Sequence, residues 1–195
     1  MDPDHNDRDR DSDAQLTHAA SDAATFTPLV EKYSPALHGY FARRVPGAAD
    51  DLLAEAWLQA FAARRTFDAS RGSARGWLFG VARNVLAGHF RRTGRDATAP
   101  AAAASDPWQA VDQRLDAAAL APALREALAD LPAEERELML LVAWEQLTPT
   151  EAAAAVGIPA GTARSRLHRA RGRLRERLAP PRPASRQLTV TGDLT

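Results

Sequence analysis

A chain of 195 residues with 45% hydrophobic and 26% charged side chains can bury the core of one domain or of two small ones, and its lack of cysteine excludes disulfides and thiolate metal sites. The formal net charge of +0 hides a segregation, because Met1 to Ala24 holds seven aspartates against Arg8 and Arg10 and leaves about +5 on the rest. No apolar run approaches the roughly 18 to 20 residues of a membrane span, and the Asp-rich start lacks the basic flank and apolar centre of a signal peptide, so a cytoplasmic protein with no membrane insertion is expected.

Residues 1–24 are polar and acidic, which predicts a disordered N-terminal tail. Two helical blocks follow, 25–93 and 113–179, separated by an Ala/Pro-rich linker at 94–112 and followed by a tail at 180–195. Neither block alternates like a strand, so the expected fold is all-α: two small helical domains joined by a flexible linker. Trp108 and both tails receive no role.

In the first block, "GAADDLLAEAWLQAFAARR" places Leu52, Leu53, Ala56, Trp57, Ala60 and Phe61 on one arc of a helix. Asp51 and Glu55 lie one turn apart on the opposite arc beside Ala54, Leu58 and Ala62. Two readings stand for that face: a protein-docking surface, or a solvated face whose carboxylates suit the helix N-terminus. The loop "FDASRGSARG" is polar enough to receive an unpaired base. After it, "GWLFGVARNVLAGHFRR" gives a wide apolar arc from Trp77 to Phe90, and an opposite arc of Arg83, Asn84 and Arg91 beside Gly80 and Ala87. Small residues between arginines allow a backbone to come close. With Arg92 and Arg95 extending the charge, this face reads either as a nucleic-acid contact or as a solvated basic helix.

The second block opens with "LPAEERELMLLVAWEQL", whose Leu138, Leu141, Val142 and Trp144 are core candidates. Thr148 and Glu151 form a T-x-x-E capping box with Pro149 at the first helical position, and Gly157 supplies a left-handed stop. A short helix over 149–156 is therefore followed by "GTARSRLHRARGRLRERL", in which Ala163, Leu167, Ala170, Leu174 and Leu178 form one buried stripe among seven arginines. Glu176 is the one acid within that run, so the arginines call for an external anion. Short helix, Gly-containing turn and longer basic helix is the order of a DNA-reading helix-turn-helix. Such a motif gives base edges to Thr162, Arg164, Ser165 and His168, and phosphates to Arg166, Arg169 and Arg171; His168 also fits as a plain surface residue.

Enzymatic chemistry finds little support. His5, His18, His38, His89 and His168 are scattered, the adjacent Asp50 and Asp51 diverge on a helix, and no Gly-rich loop follows a strand. No catalytic residue, metal site or cofactor is expected.

The succession "ADDLLAEAWLQAF", "WLFGVARNVLAGHFRR", "LADLPAEERELMLLV" and "GIPAGTARSRLHRARGRLRE" resembles the extracytoplasmic-function sigma factors of bacterial RNA polymerase over about 25–93 and 120–178. The resemblance implies a non-enzymatic subunit with core RNA polymerase, promoter DNA and an anti-sigma factor as partners. It implies that Asp51, Glu55 and Leu58 of region two hold the clamp helices of the largest polymerase subunit. Arg71, Arg75, Arg83, Asn84, Arg91 and Arg92 would then open and hold the minus-ten element, and Thr162 to Arg171 of region four would read the minus-thirty-five element. Three positions depart from the pattern: Ala54 stands for glutamine, Gly88 for an acid, and Pro159 for a serine cap. "TEAAAAV" is also poor in bulky apolar residues, so a loosely packed helix-turn-helix is expected. The competing reading is a stand-alone helix-turn-helix regulator that binds a palindromic site as a dimer.

Overall fold

The computed structural model describes residues 11–18, 26–94 and 121–179. The expected C-terminal tail, Trp108 and the linker beyond Gly94 lie outside the described residues. Helix α1 covers 11–18. The first block continues with α2 (Thr27–Ala42), α3 (Ala49–Ala63) and α4 (Ala74–Arg92), and the second comprises α5 (Ala121–Ala129), α6 (Ala133–Ala143), α7 (Pro149–Val156) and α8 (Ala160–Leu178).

Helices α2, α3 and α4 close around side chains at helical spacing: Leu29, Tyr33, Leu37 and Phe41 from α2, Leu52, Ala56 and Ala60 from α3, and Leu78, Ala82 and Val85 from α4 are all buried. Trp57 donates its indole N–H to Ser34 Oγ at 3.0 Å, which satisfies the polar edge of a ring otherwise packed in the core. Phe26 meets both Trp57 and Phe61 edge-on, at 5.8 and 5.4 Å between centroids.

Tyr40 sits at the centre of this block, 2% exposed, with the Arg44 guanidinium 3.8 Å from its ring centroid. Burial pushes its phenol up from 10.0 to about 12. The folded chain therefore holds this proton more tightly than the unfolded chain does, so the stabilisation is complete below pH 10.0 and is lost as pH rises through about 12. A shift of this size corresponds to about 3 kcal/mol. Thermal melts should show the wild type losing stability across that alkaline window more steeply than Tyr40→Phe, whose curve lacks this titration; parallel curves would mean that Tyr40 ionises freely.

The start of the chain differs from expectation. Within the acidic stretch expected to be disordered, residues 11–18 form a helix whose Leu16 is fully buried against the first block. Lys32 donates to Ser12 Oγ at 2.5 Å, and Asp13 accepts the backbone N–H of Ala74 at 2.5 Å, so an acidic side chain caps the positive end of α4.

In the second block the capping box forms as its residues predict. Glu151 N–H donates to Thr148 Oγ1 at 3.2 Å, and Glu151 Oε2 accepts the Thr148 N–H at 2.8 Å. Gly157 ends α7 in the left-handed region at φ 78°, where a side chain would be strained. Pro159 occupies the N-cap of α8, which starts without a side-chain cap. Ala163, Leu167, Ala170 and Leu174 form the buried stripe of α8, and Ala127, Leu128 and Leu131 cover its C-terminal half.

The alanine-rich α7 is not loosely packed. Ala152, Ala153 and Ala155 are buried at 0%, 2% and 6% exposure, and α7 lies against α4 of the first block. A Cβ added at Gly76 would stand 3.0 Å from the Glu151 carbonyl oxygen, and one at Gly80 would stand 3.6 Å from the Ala155 Cα. Small residues on both helices thus let the backbones meet, and a single apolar cluster runs from Leu16 through both blocks to Leu167.

Candidate nucleic-acid interface

Three surfaces carry the residues singled out in the sequence. On α3, Asp51, Glu55 and Leu58 share one stripe, as steps of four and three require. Asp51 is exposed and Leu58 is 72% exposed, an unusual position for a large apolar side chain. Glu55 is half-buried; it accepts from Gln59 at 3.1 Å and pairs with Arg92 at 2.9 Å, so residues assigned to two different surfaces touch.

Ahead of α4, Asp68 accepts both the N–H and the hydroxyl of Ser70, at 2.9 and 2.6 Å. The Ser70 hydroxyl and then its backbone N–H hold the Asp68 carboxyl below its ordinary value, so the loop keeps a fixed anion beside Arg71. Phe67 and Trp77 meet edge-on at 5.9 Å, and both line a cleft of about 740 Å³ with Asp68, Arg71 and the Gly157–Ala160 turn of the second block. Arg71, Asn84 and Arg91 are exposed. Arg75 is turned toward the second block, where it donates to the carbonyls of Glu145 and Gln146 at 2.6 and 3.1 Å. Arg83 grips Glu137 of α6 through Nε at 2.6 Å, and this hydrogen bond raises its pKa further. The small residues of α4 do admit a backbone, as their spacing suggests, but the backbone is that of α7.

On α8 the arginines divide. Arg166 pairs with Glu134 at 2.7 Å, Arg169 and Arg173 pair with Glu135 at 3.5 and 2.6 Å, and Arg177 pairs with Asp130. The expectation that these arginines all call for an external anion is therefore corrected: acids of α6 and the turn before it cover one stripe. At 100° per residue that stripe falls opposite Arg164, His168, Arg171 and Arg175, with the buried stripe between them. Those four are exposed, and among the described residues the three arginines make no ion pair. Thr162 is half-buried, and its carbonyl accepts the hydroxyl of the exposed Ser165 at 2.9 Å. Arg175 joins the residues expected to contact DNA, one step of four beyond Arg171.

This helix-turn-helix, with an unpaired basic stripe on its longer helix, stands beside a second module bearing an apolar and acidic stripe, and each block resembles a known family. Residues 29–96 match Sigma-70 region 2, and residues 122–174 match Sigma-70, region 4. The chain is 39% identical over 131 residues to the ECF RNA polymerase sigma factor SigC of Mycobacterium tuberculosis, covering 66% of this chain and 69% of SigC. It is 30% identical over 170 residues to the ECF RNA polymerase sigma factor RpoE of Cereibacter sphaeroides, covering 81% and 88%. Among solved structures, CnrH in complex with the cytosolic domain of CnrY matches with a TM-score of 0.56 at 26% identity over 85% of this chain and 95% of that one. The sigma factor RpoE in complex with the anti-sigma factor NepR from Bartonella quintana matches with a TM-score of 0.52 at 25% identity over 80% and 98%. With both regions present in order, the chain belongs to the extracytoplasmic-function group of sigma-70 sigma factors, which bind core RNA polymerase and direct promoter-specific initiation.

Proposed function

We propose that this sigma factor distributes its contacts over three helices. The Asp51, Glu55 and Leu58 stripe of α3 docks on the clamp helices of the largest polymerase subunit. The loop around Arg71, with Arg75, Arg83, Asn84, Arg91 and Arg92, receives the opened minus-ten strand, and Phe67 and Trp77 beside that loop offer aromatic surface on which an extruded base can stack. The α8 stripe of Arg164, His168 and Arg171, with Thr162 and Ser165 at its start, enters the major groove of the minus-thirty-five element. Arg166 and Arg169 act through Glu134 and Glu135 to hold α8 on α6. The protein is not an enzyme and works in the cytoplasm; the polymerase supplies the chemistry, and this subunit supplies position and stabilises unpaired bases, each costing a few kcal/mol to extrude. An anti-sigma factor is a further partner, by similarity to CnrH and RpoE as found with CnrY and NepR.

The observation that carries this reading is the opposition of a paired and an unpaired arginine stripe on one helix of a region-four module. Run-off transcription on a pool of genomic promoter fragments, with core polymerase alone and with the full chain added, tests it. New start sites sharing two spaced motifs are expected. Start sites unchanged by the protein, together with protection of a palindrome by the protein alone, would overturn it.

A further inference from the structure

The N-terminal helix α1 lies ahead of the residues matched to region two, and it reaches the loop assigned to the opened strand through one carboxylate. We propose that Asp13 of α1 is a positioning residue for that loop: its contact with Ala74 fixes the joint between loop and α4, and strand binding weakens when the joint is released. The inference rests on the assignment of the loop in the preceding section.

The loop arrives at α4 as a closed turn. Asp68 takes both the N–H and the hydroxyl of Ser70, and the Arg71 N–H donates to the Asp68 carbonyl at 2.9 Å. A turn tied to itself in this way is aimed by its two ends. One end is Phe67, packed edge-on against Trp77, and the other is the start of α4. There Ser73 takes the Gly76 N–H on its hydroxyl at 3.2 Å and the Trp77 N–H on its carbonyl at 3.0 Å. The first N–H groups of a helix have no acceptor within it. For Ala74 that acceptor is Asp13 Oδ1, at 2.5 Å and 61 residues away in the chain. An anion suits this end of the helix dipole, and a carboxylate accepts a backbone N–H more strongly than a neutral group does. Arg75, assigned to the strand, is the next residue, so the same joint sets the course of its backbone.

The rest of α1 seats Asp13 on α2. Ser12 and Leu16, one turn apart, are 1% and 0% exposed; Leu16 enters the core of the first block, and Ser12 accepts from Lys32 of α2 at 2.5 Å. With a single large apolar side chain, α1 buries little surface of its own. Its acid, by contrast, stands at the joint of the strand loop.

Holoenzyme assembled from core polymerase and the full chain tests this on a promoter fragment from the run-off mapping whose minus-ten segment is left as single-stranded non-template DNA. A closed duplex carrying the minus-thirty-five element alone is the comparison. Asp13→Ala is expected to weaken binding of the open fragment about fivefold, the effect of one lost helix cap, and to change binding of the duplex by less than about twofold. Discrimination between matched and substituted bases in the minus-ten segment should fall with it, which lowered stability alone does not produce. Asp13→Asn, whose amide oxygen can accept the same N–H, should restore most of both. Asp11→Ala, an exposed acid on the same helix, should change neither. Amide hydrogen exchange on the free chain should show Ala74 losing protection in Asp13→Ala while the buried Leu37 and Val85 keep theirs. Equal binding of the open fragment by wild type and Asp13→Ala, with Arg71→Ala weakening it, overturns the positioning role. So does an equal loss on both fragments, which marks general destabilisation. If Arg71→Ala leaves binding of the open fragment unchanged, the loop assignment fails and the role of Asp13 in strand binding falls with it, while exchange at Ala74 still reports the contact.

Discussion

Replacing Arg164 and Arg171 together by alanine is expected to lower affinity for duplex promoter DNA about a hundredfold, since each good arginine contact in a groove contributes about 1 to 3 kcal/mol. Folding should be untouched, because both side chains are exposed and neither makes an ion pair among the described residues. The slope of affinity against salt should fall by about one unit for each phosphate contact removed. The matching double variant on the opposite stripe, Arg169→Ala with Arg173→Ala, should do the reverse. It strands Glu135, 5% exposed, without its two arginines. A loss of about 1 to 3 kcal/mol in stability is expected, less than for a fully enclosed pair because both guanidinium groups are half in water. Anisotropy titrations and urea melts on the wild type and the two double variants decide the matter. If both doubles weaken DNA binding equally with unchanged melts, α8 does not present one stripe to the groove.

The second large effect belongs to α3. Asp51→Ala with Leu58→Ala is expected to reduce affinity for core polymerase roughly thirtyfold, the loss of about 2 kcal/mol typical of a central interface anchor. A leucine 72% exposed contributes little to the fold, so the thermal midpoint should shift by no more than about 0.5 kcal/mol in equivalent stability. Titrating labelled full-length protein with core polymerase measures the first quantity, and a melt measures the second. Unchanged polymerase affinity would remove α3 from the docking surface, and a parallel drop in both would indicate misfolding instead.

Local rules made much of the fold legible. The apolar stripes of α3, α4 and α8, the Thr148–Glu151 box and the Gly157 stop depend on residues within a turn or two, so spacing locates them, although Phe61 at the end of the α3 arc is 37% exposed. What spacing could not provide was the identity of a neighbour brought from elsewhere in the chain. Gly80 of α4 is met by a backbone as its small size suggests, yet nothing in its own segment distinguishes a DNA backbone from that of α7. Likewise the arginines of α8 looked unneutralised because their acids lie at Asp130, Glu134 and Glu135, more than thirty residues earlier and across a helix pair. The helix over 11–18 is hidden from sequence patterning for another reason. Its single large apolar residue, Leu16, defines no period.

Glu151 divides its two oxygens between the blocks: Oε2 serves Thr148 within its own helix, and Oε1 serves Ser73 of the other block. One carboxylate thus both starts α7 and ties it to the N-cap of α4, so removing it would loosen the end of the helix and the contact between the blocks together.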